Sequence, residues 1–190
     1  MPDPTLSLCV FCGSRPGVRP AYAEAARKLG GELGTRGWRL VYGAGDVGLM
    51  GEVARAAQHA GGETFGVIPE HLVQMEVGKV DLTRYVVTEN MHERKKVMFM
   101  NAHAIVVLPG GAGSLDEFFE VLTWAQLGLH RKPILLVDIE GYWSPLTELI
   151  DHTVTQGFAD PGLKELFAVV ATIEDALTAL EPVAASLPLS

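Results

Sequence analysis

The stretch Ala104-Ile105-Val106-Val107-Leu108-Pro109-Gly110-Gly111-Ala112-Gly113-Ser114-Leu115-Asp116-Glu117 decides the fold. Five consecutive apolar residues read as a strand buried on both faces, as in a parallel sheet. The glycine-rich turn that follows leads into a helical pattern over Ser114–Leu127. The same unit recurs along the chain. Strands are expected at Leu6–Cys12, Trp38–Tyr42, Thr64–Ile68, Arg84–Thr88, Pro133–Val137 and Ala168–Ala171. Helices are expected at Ala21–Arg36, Leu49–His59, Met91–Ala102, Pro145–Gln156 and Ile173–Leu180, with residues 70–83 as a long loop. Strands alternating with helices form right-handed βαβ units. The expected fold class is therefore α/β: a single doubly wound, Rossmann-like domain over 1–190, with a mostly parallel sheet and helices on both faces. Ligands in such sheets bind beyond the carboxyl ends of the strands.

Composition narrows the function. The chain has 190 residues, 48% of them hydrophobic and 20% charged, enough apolar side chain for a sizeable core. Its net charge of −8 disfavours a nucleic-acid polymer as partner, although backbone amides can still hold one small phosphate. No apolar run approaches the roughly 20 residues that span a bilayer, so no membrane partner is expected. Met1 to Leu8 shows no signal-peptide pattern. The Cys9-Val10-Phe11-Cys12 string lies in a strand, where residues three apart point to opposite faces. Two structural cysteines and a reducing, cytoplasmic location are expected.

Glycine clusters in three strand-to-helix turns: Gly13-Ser14-Arg15-Pro16-Gly17, Gly43-Ala44-Gly45-Asp46-Val47-Gly48 and Gly110-Gly111-Ala112-Gly113-Ser114. Glycine permits close backbone approach, and a helix N-terminus offers free N–H groups and a positive dipole end. Three such turns on one sheet edge point to a nucleotide or sugar-phosphate site. Gly43, Gly45 and Gly48 also match the dinucleotide string, which keeps an NAD(P) oxidoreductase as an alternative. The string follows the second strand, however. Glu63 precedes the next strand, and Glu70 lies beyond Pro69.

Two helix starts carry charge. Ser114 and Glu117 have capping-box spacing. Glu117 nonetheless lies off the expected core stripe of Leu115, Phe118, Phe119, Leu122 and Ala125, where it can face a sugar attached to a bound phosphate. Asn90 and Glu93 have the same spacing before Arg94, Lys95 and Lys96, and arginine binds phosphate bidentately. No metal-ligating set, nucleophile elbow or Walker loop is present, and no cofactor is expected. An acid, an arginine and a phosphate cradle suit chemistry at a sugar C1, where a carboxylate stabilises an oxocarbenium-like transition state.

The segments Pro109–Glu117 and Met91-His92-Glu93-Arg94-Lys95 resemble the PGGxGTxxE and MHERK motifs of the LOG ("Lonely Guy") family, formerly labelled "possible lysine decarboxylase". The likeness extends to Cys9–Ser14, Leu40–Gly51, Gly66–Pro69 and Leu122–Gly128. It implies a cytokinin riboside 5′-monophosphate phosphoribohydrolase, which cleaves the N-glycosidic bond of N6-modified AMP. Some relatives accept AMP. The products are free base and ribose 5-phosphate. By resemblance, Arg94 and Glu117 are catalytic. Glu76, Arg94, Lys95, Gly111 through Glu117 (with Ala112, Gly113, Ser114, Leu115 and Asp116) and Thr123 bind substrate. Gly110, Gly13, Ser14, Gly43 and Gly45 join them from the glycine turns. The resemblance also implies a homodimer, for which Val121 and Trp124 offer a second apolar face. Ser114, Asp116 and Ala44 stand where the family has Thr, Glu and Gly. A non-catalytic nucleotide or cofactor carrier on the same fold is the other alternative. The decarboxylase label is set aside, because no Schiff-base lysine context is visible.

Overall fold

The computed structural model describes residues 6–73 and 81–187. Seven strands form one sheet: β1 Ser7–Phe11, β2 Arg39–Tyr42, β3 Thr64–Pro69, β4 Arg84–Thr88, β5 Ala104–Val107, β6 Ile134–Val137 and β7 Ala168–Val170. Seven α-helices alternate with them: α1 Pro20–Thr35, α2 Gly48–His59, α3 Glu70–Val73, α4 Met91–Met100, α5 Ala112–Gln126, α6 Ser144–Thr155 and α7 Ile173–Ser186. The strand order is β4-β3-β2-β1-β5-β6-β7, and every pairing is parallel. The expected α/β class and doubly wound architecture therefore hold.

The chain winds one way from β1 to β4, then returns to the other side of β1 for β5 to β7. The topological switch lies between β1 and β5, where a crevice opens above the carboxyl ends of the strands. Alternate residues of β1 feed two cores. Leu8 and Val10 pack under α1, α2 and α7, whereas Cys9 and Phe11 pack under α4, α5 and α6. Cys9 and Cys12 fall in different cores and are both free, as strand geometry requires. Helices α1 and α2 pack directly against each other. A β-carbon at Gly30 would lie 2.2 Å from the carbonyl oxygen of Val53, so glycine sets that approach.

Four expectations need correction. Residues 70–83 open with the short helix α3 instead of continuous loop, and 74–80 lie outside the described residues. Helix α7 runs past Leu180 to Ser186 despite Pro182, because Val183, Ala184 and Leu187 still find the core. Helix α5 begins at Ala112 with Gly111 as N-cap, so Ser114 is an interior residue and no capping box forms. The Asn90 cap on α4 does form: the Glu93 amide donates to Asn90 Oδ1 at 3.0 Å, and the Glu93 carboxylate accepts from the Glu89 amide at 3.0 Å. Finally, α5 carries two overlapping apolar stripes, and burial selects the one through Val121 (2% exposed) over the one through Phe119 (38%). Val121 is thus core and cannot serve a partner subunit. Trp124 is half-buried, edge-on to Phe99.

Candidate active site

The strand order places the three glycine turns side by side. The Gly13 amide donates to the Pro109 carbonyl at 3.0 Å, which joins the turn after β1 to the turn after β5. A β-carbon at Gly13 would sit 3.3 Å from Gly110 Cα, so the two backbones are in contact. Above them opens a pocket of about 570 Å³.

Only part of the expected cradle is open. The first amides of α2 are spent inside the protein: Leu49 and Met50 both donate to the Gly13 carbonyl, at 3.0 and 3.4 Å. Gly48, at φ +58°, lets α2 press on the turn after β1, where a β-carbon would be 2.3 Å from Ser14. Ala44 takes φ +59°, a left-handed conformation that costs a non-glycine residue about 1–2 kcal/mol. In contrast, the Ala112, Gly113 and Ser114 amides of α5 have no backbone partner among the described residues, and Gly111 and Gly113 face open space there. The α5 N-terminus therefore remains free to hold an anion.

Glu117 lies in the first turns of that helix and lines the same pocket. Among the described residues no hydrogen bond or ion pair restrains its carboxylate. Removal from water pushes its pKa from 4.5 up to about 7. Arg94 and Lys95 act against this rise, and Asp116 and Glu120 add to it. Arg94 is only 5% exposed. Its Nε donates to the Val67 carbonyl at 3.0 Å and its Nη2 to the Gly43 carbonyl at 2.6 Å. A β-carbon at Gly43 would lie 2.0 Å from that Nη2, so the glycine makes room for the arginine rather than for a pyrophosphate.

The pocket gathers many of the expected site residues. Gly13, Ser14, Gly43 and Arg94 line one side, and Gly110, Gly111, Ala112, Gly113, Ser114 and Glu117 the other. Several others are elsewhere. Gly45 is buried outside the lining, Leu115 packs into the core, and Thr123 is exposed. Lys95 is buried against Asp116 at 2.9 Å and Glu120 at 3.2 Å. The three consecutive cations thus separate: Arg94 in the pocket, Lys95 buried with its ammonium on exposed Asp116 and half-buried Glu120, and Lys96 in solvent. Glu76 lies outside the described residues.

Further lining residues were not foreseen. Tyr142 lines the pocket, and its hydroxyl donates to the Gly110 carbonyl at 2.5 Å, bracing the glycine turn. Tyr22 stands edge-on to it, with ring centroids 5.4 Å apart. Met50, Met91 and Cys12 supply apolar surface, and burial pushes the Cys12 thiol far up, so it stays protonated. Tyr22 and Tyr142 lie outside every quoted motif and reach the pocket through folding alone; Cys12, Met50 and Met91 stand within motif segments but carry no charge or glycine that would single them out.

Comparison with known proteins places this geometry in context. A family model described as "possible lysine decarboxylase" matches residues 50–180. The chain is 43% identical over 174 residues to the cytokinin riboside 5′-monophosphate phosphoribohydrolase LOG7 of Arabidopsis thaliana, covering 92% of this chain and 80% of the relative. It is 46% identical over 160 residues to the probable cytokinin riboside 5′-monophosphate phosphoribohydrolase LOGL9 of Oryza sativa subsp. japonica, covering 84% and 70%. Among solved structures, a Moco carrier protein of Chlamydomonas reinhardtii superposes with a TM-score of 0.70 at 22% identity, over 95% of this chain and 98% of that one. A molybdenum cofactor binding protein of Rippkaea orientalis gives 0.71 at 18% identity, over 94% and 96%. At these identities the structures show a shared fold.

Proposed function

This chain belongs to the LOG family of cytokinin riboside 5′-monophosphate phosphoribohydrolases, and from that premise we propose how its site hydrolyses the N-glycosidic bond of an N6-modified AMP. One observation carries the reading. Among the described residues, Glu117 is an unrestrained carboxylate within the first turns of a helix whose amino end is free, and Arg94 lines the same pocket.

The Ala112, Gly113 and Ser114 amides receive the 5′-phosphate, which brings the ribose towards Glu117. As the C1′–N9 bond breaks, positive charge develops on the sugar. The Glu117 carboxylate stabilises that charge and orients a water molecule. The water oxygen joins C1′, one of its protons leaves, and N9 of the departing base gains a proton. Ribose 5-phosphate and free base result. Arg94 is held rigid by two backbone carbonyls, so its charge meets the ligand with little side-chain entropy left to lose.

The alternatives have less behind them. The dinucleotide reading needs the α2 amino end, which the Gly13 carbonyl occupies, and an acid at the carboxyl edge. Glu63 instead lies ahead of β3, within 3.7 Å of Arg39 and 3.9 Å of Arg84. A carrier role has the shared fold as its support. Action as a homodimer in a reducing cytoplasm belongs to the same proposal. Exposed Phe119, Leu127 and Leu129 on and after α5 support the first, and two free buried cysteines the second.

The expected result is release of free base from isopentenyladenosine monophosphate, weaker release from AMP and none from adenosine, followed by chromatography. No base from either monophosphate would overturn the reading.

A further inference from the structure

We propose that Lys95 is a positioning residue and not a substrate ligand: it clamps Asp116 and Glu120, which flank Glu117 on α5, and offsets their negative charge at the reacting carboxylate. Resemblance alone puts Lys95 among the substrate contacts. The structure gives its ammonium a different task. The residue is 5% exposed, is absent from the pocket lining, and has two carboxylates on Nζ at 2.9 and 3.2 Å.

These pairs tie the amino-terminal half of α4 to α5. Arg94 and Lys95 leave α4 towards different partners, one to the pocket lining and one to the acids of α5. Asp116 and Glu120 lie one turn apart, with Glu117 between them in sequence. Without the lysine, half-buried Glu120 and exposed Asp116 would flank Glu117 with no cation between them, and the neutral form of Glu117 would be favoured. The charged and titratable groups acting at Glu117 are Arg94 and Lys95 from α4, Asp116 and Glu120 from its own helix, Cys9 from β1 and Cys12 just after it. Burial keeps both thiols protonated, so they add no charge that varies near neutral pH.

The inference rests on Glu117 being the reacting carboxylate, and two readouts keep the questions apart. The first is the pH profile of kcat/KM with isopentenyladenosine monophosphate. The second is a carbon-13 titration of the Glu117 carboxyl, assigned by its loss in Glu117→Gln, which needs no turnover. In Lys95→Met both midpoints are expected to rise by about 0.5–1 pH unit, a three- to tenfold loss at pH 6 that narrows as pH rises. KM should stay within about twofold, since phosphate contacts are untouched. Lys95→Arg should keep the profile near its original position. Glu120→Gln should move the midpoints down, and it answers the question even if Lys95→Met fails to fold. A raised KM with unmoved midpoints in Lys95→Met would make the lysine a substrate ligand and overturn the proposal. Unmoved midpoints in Glu120→Gln would overturn it as well. Titration shifts as expected, in a protein that releases no base, would leave the positioning role standing and remove the proposed activity.

Discussion

Replacing Glu117 by glutamine is expected to abolish base release and, at pH 8, to make the protein more stable. The first effect follows from its position. Glutamine keeps the shape of the side chain but cannot carry negative charge or take a proton from water. A loss of about a thousandfold or more in kcat/KM is the expected size. The second effect follows from burial. The folded carboxyl titrates near 7 and the unfolded one near 4.5, so between these values the folded state binds more protons. Stability is then lost as pH rises through that window, and the cost is complete above pH 7. Removing the ionisable group lifts a cost on the order of 3 kcal/mol at pH 8 and almost nothing at pH 4.5. For a chain of this size that is roughly 5–10 °C in Tm at the higher pH. Thermal melts at both values check it. A variant that is inactive and equally stable at both would mean that Glu117 is not strained by its surroundings. For the unaltered enzyme, kcat/KM should rise with pH through about 7, as the carboxylate forms.

Gly43→Ala is expected to leave the protein folded and nearly inactive, although Gly43 has no side chain to offer a substrate. The new β-carbon would meet Arg94 Nη2 at 2.0 Å, and the tip of a long side chain can move where backbone cannot. The guanidinium would leave the Gly43 carbonyl and with it the position from which it acts in the pocket. A hundredfold or greater loss of kcat/KM is the expected scale for misplacing such a group. Arg94→Lys should not restore activity when made in the original chain. A lysine cannot reach the Val67 and Gly43 carbonyls together and still point a third donor at the ligand. Arg94→Ala adds a stability cost of about 1–3 kcal/mol for each buried carbonyl left unpaired. Steady-state kinetics beside melting curves distinguishes the two variants. Full activity in Gly43→Ala would show that the arginine does not depend on this contact.

Much of the fold was legible in the chain because its signals are local. Continuous apolar runs such as Ile105–Leu108 and the glycine turns after them depend on side chains a few residues apart, and all seven strands appear where those runs lie. Glu117 and Arg94 were legible for the same reason, each standing just inside a helix that follows a marked turn. The misreadings share a different cause. Ser114 with Glu117 and Asn90 with Glu93 have the same spacing, yet only the second pair caps its helix, because Gly111 lets α5 begin earlier. Phe119 and Val121 satisfy helical periodicity equally well, and what packs against α5 chooses between them.

The sequence by itself determined that this protein is a parallel α/β domain with glycine turns at its strand ends and an acid just inside the helix that follows one of them. Turn chemistry and hydrophobic period act over a few residues and need no knowledge of neighbours. Only the tertiary structure decided which helix end is open. The Gly13 carbonyl closes α2, 36 residues further along the chain by Leu49, and leaves α5 free. Tertiary structure likewise sent Lys95 away from the pocket and brought Tyr142 to Gly110. Hydrogen bonds and ion pairs depend on distances of about 3 Å between groups far apart in sequence, and those distances exist only once the strands have taken their order.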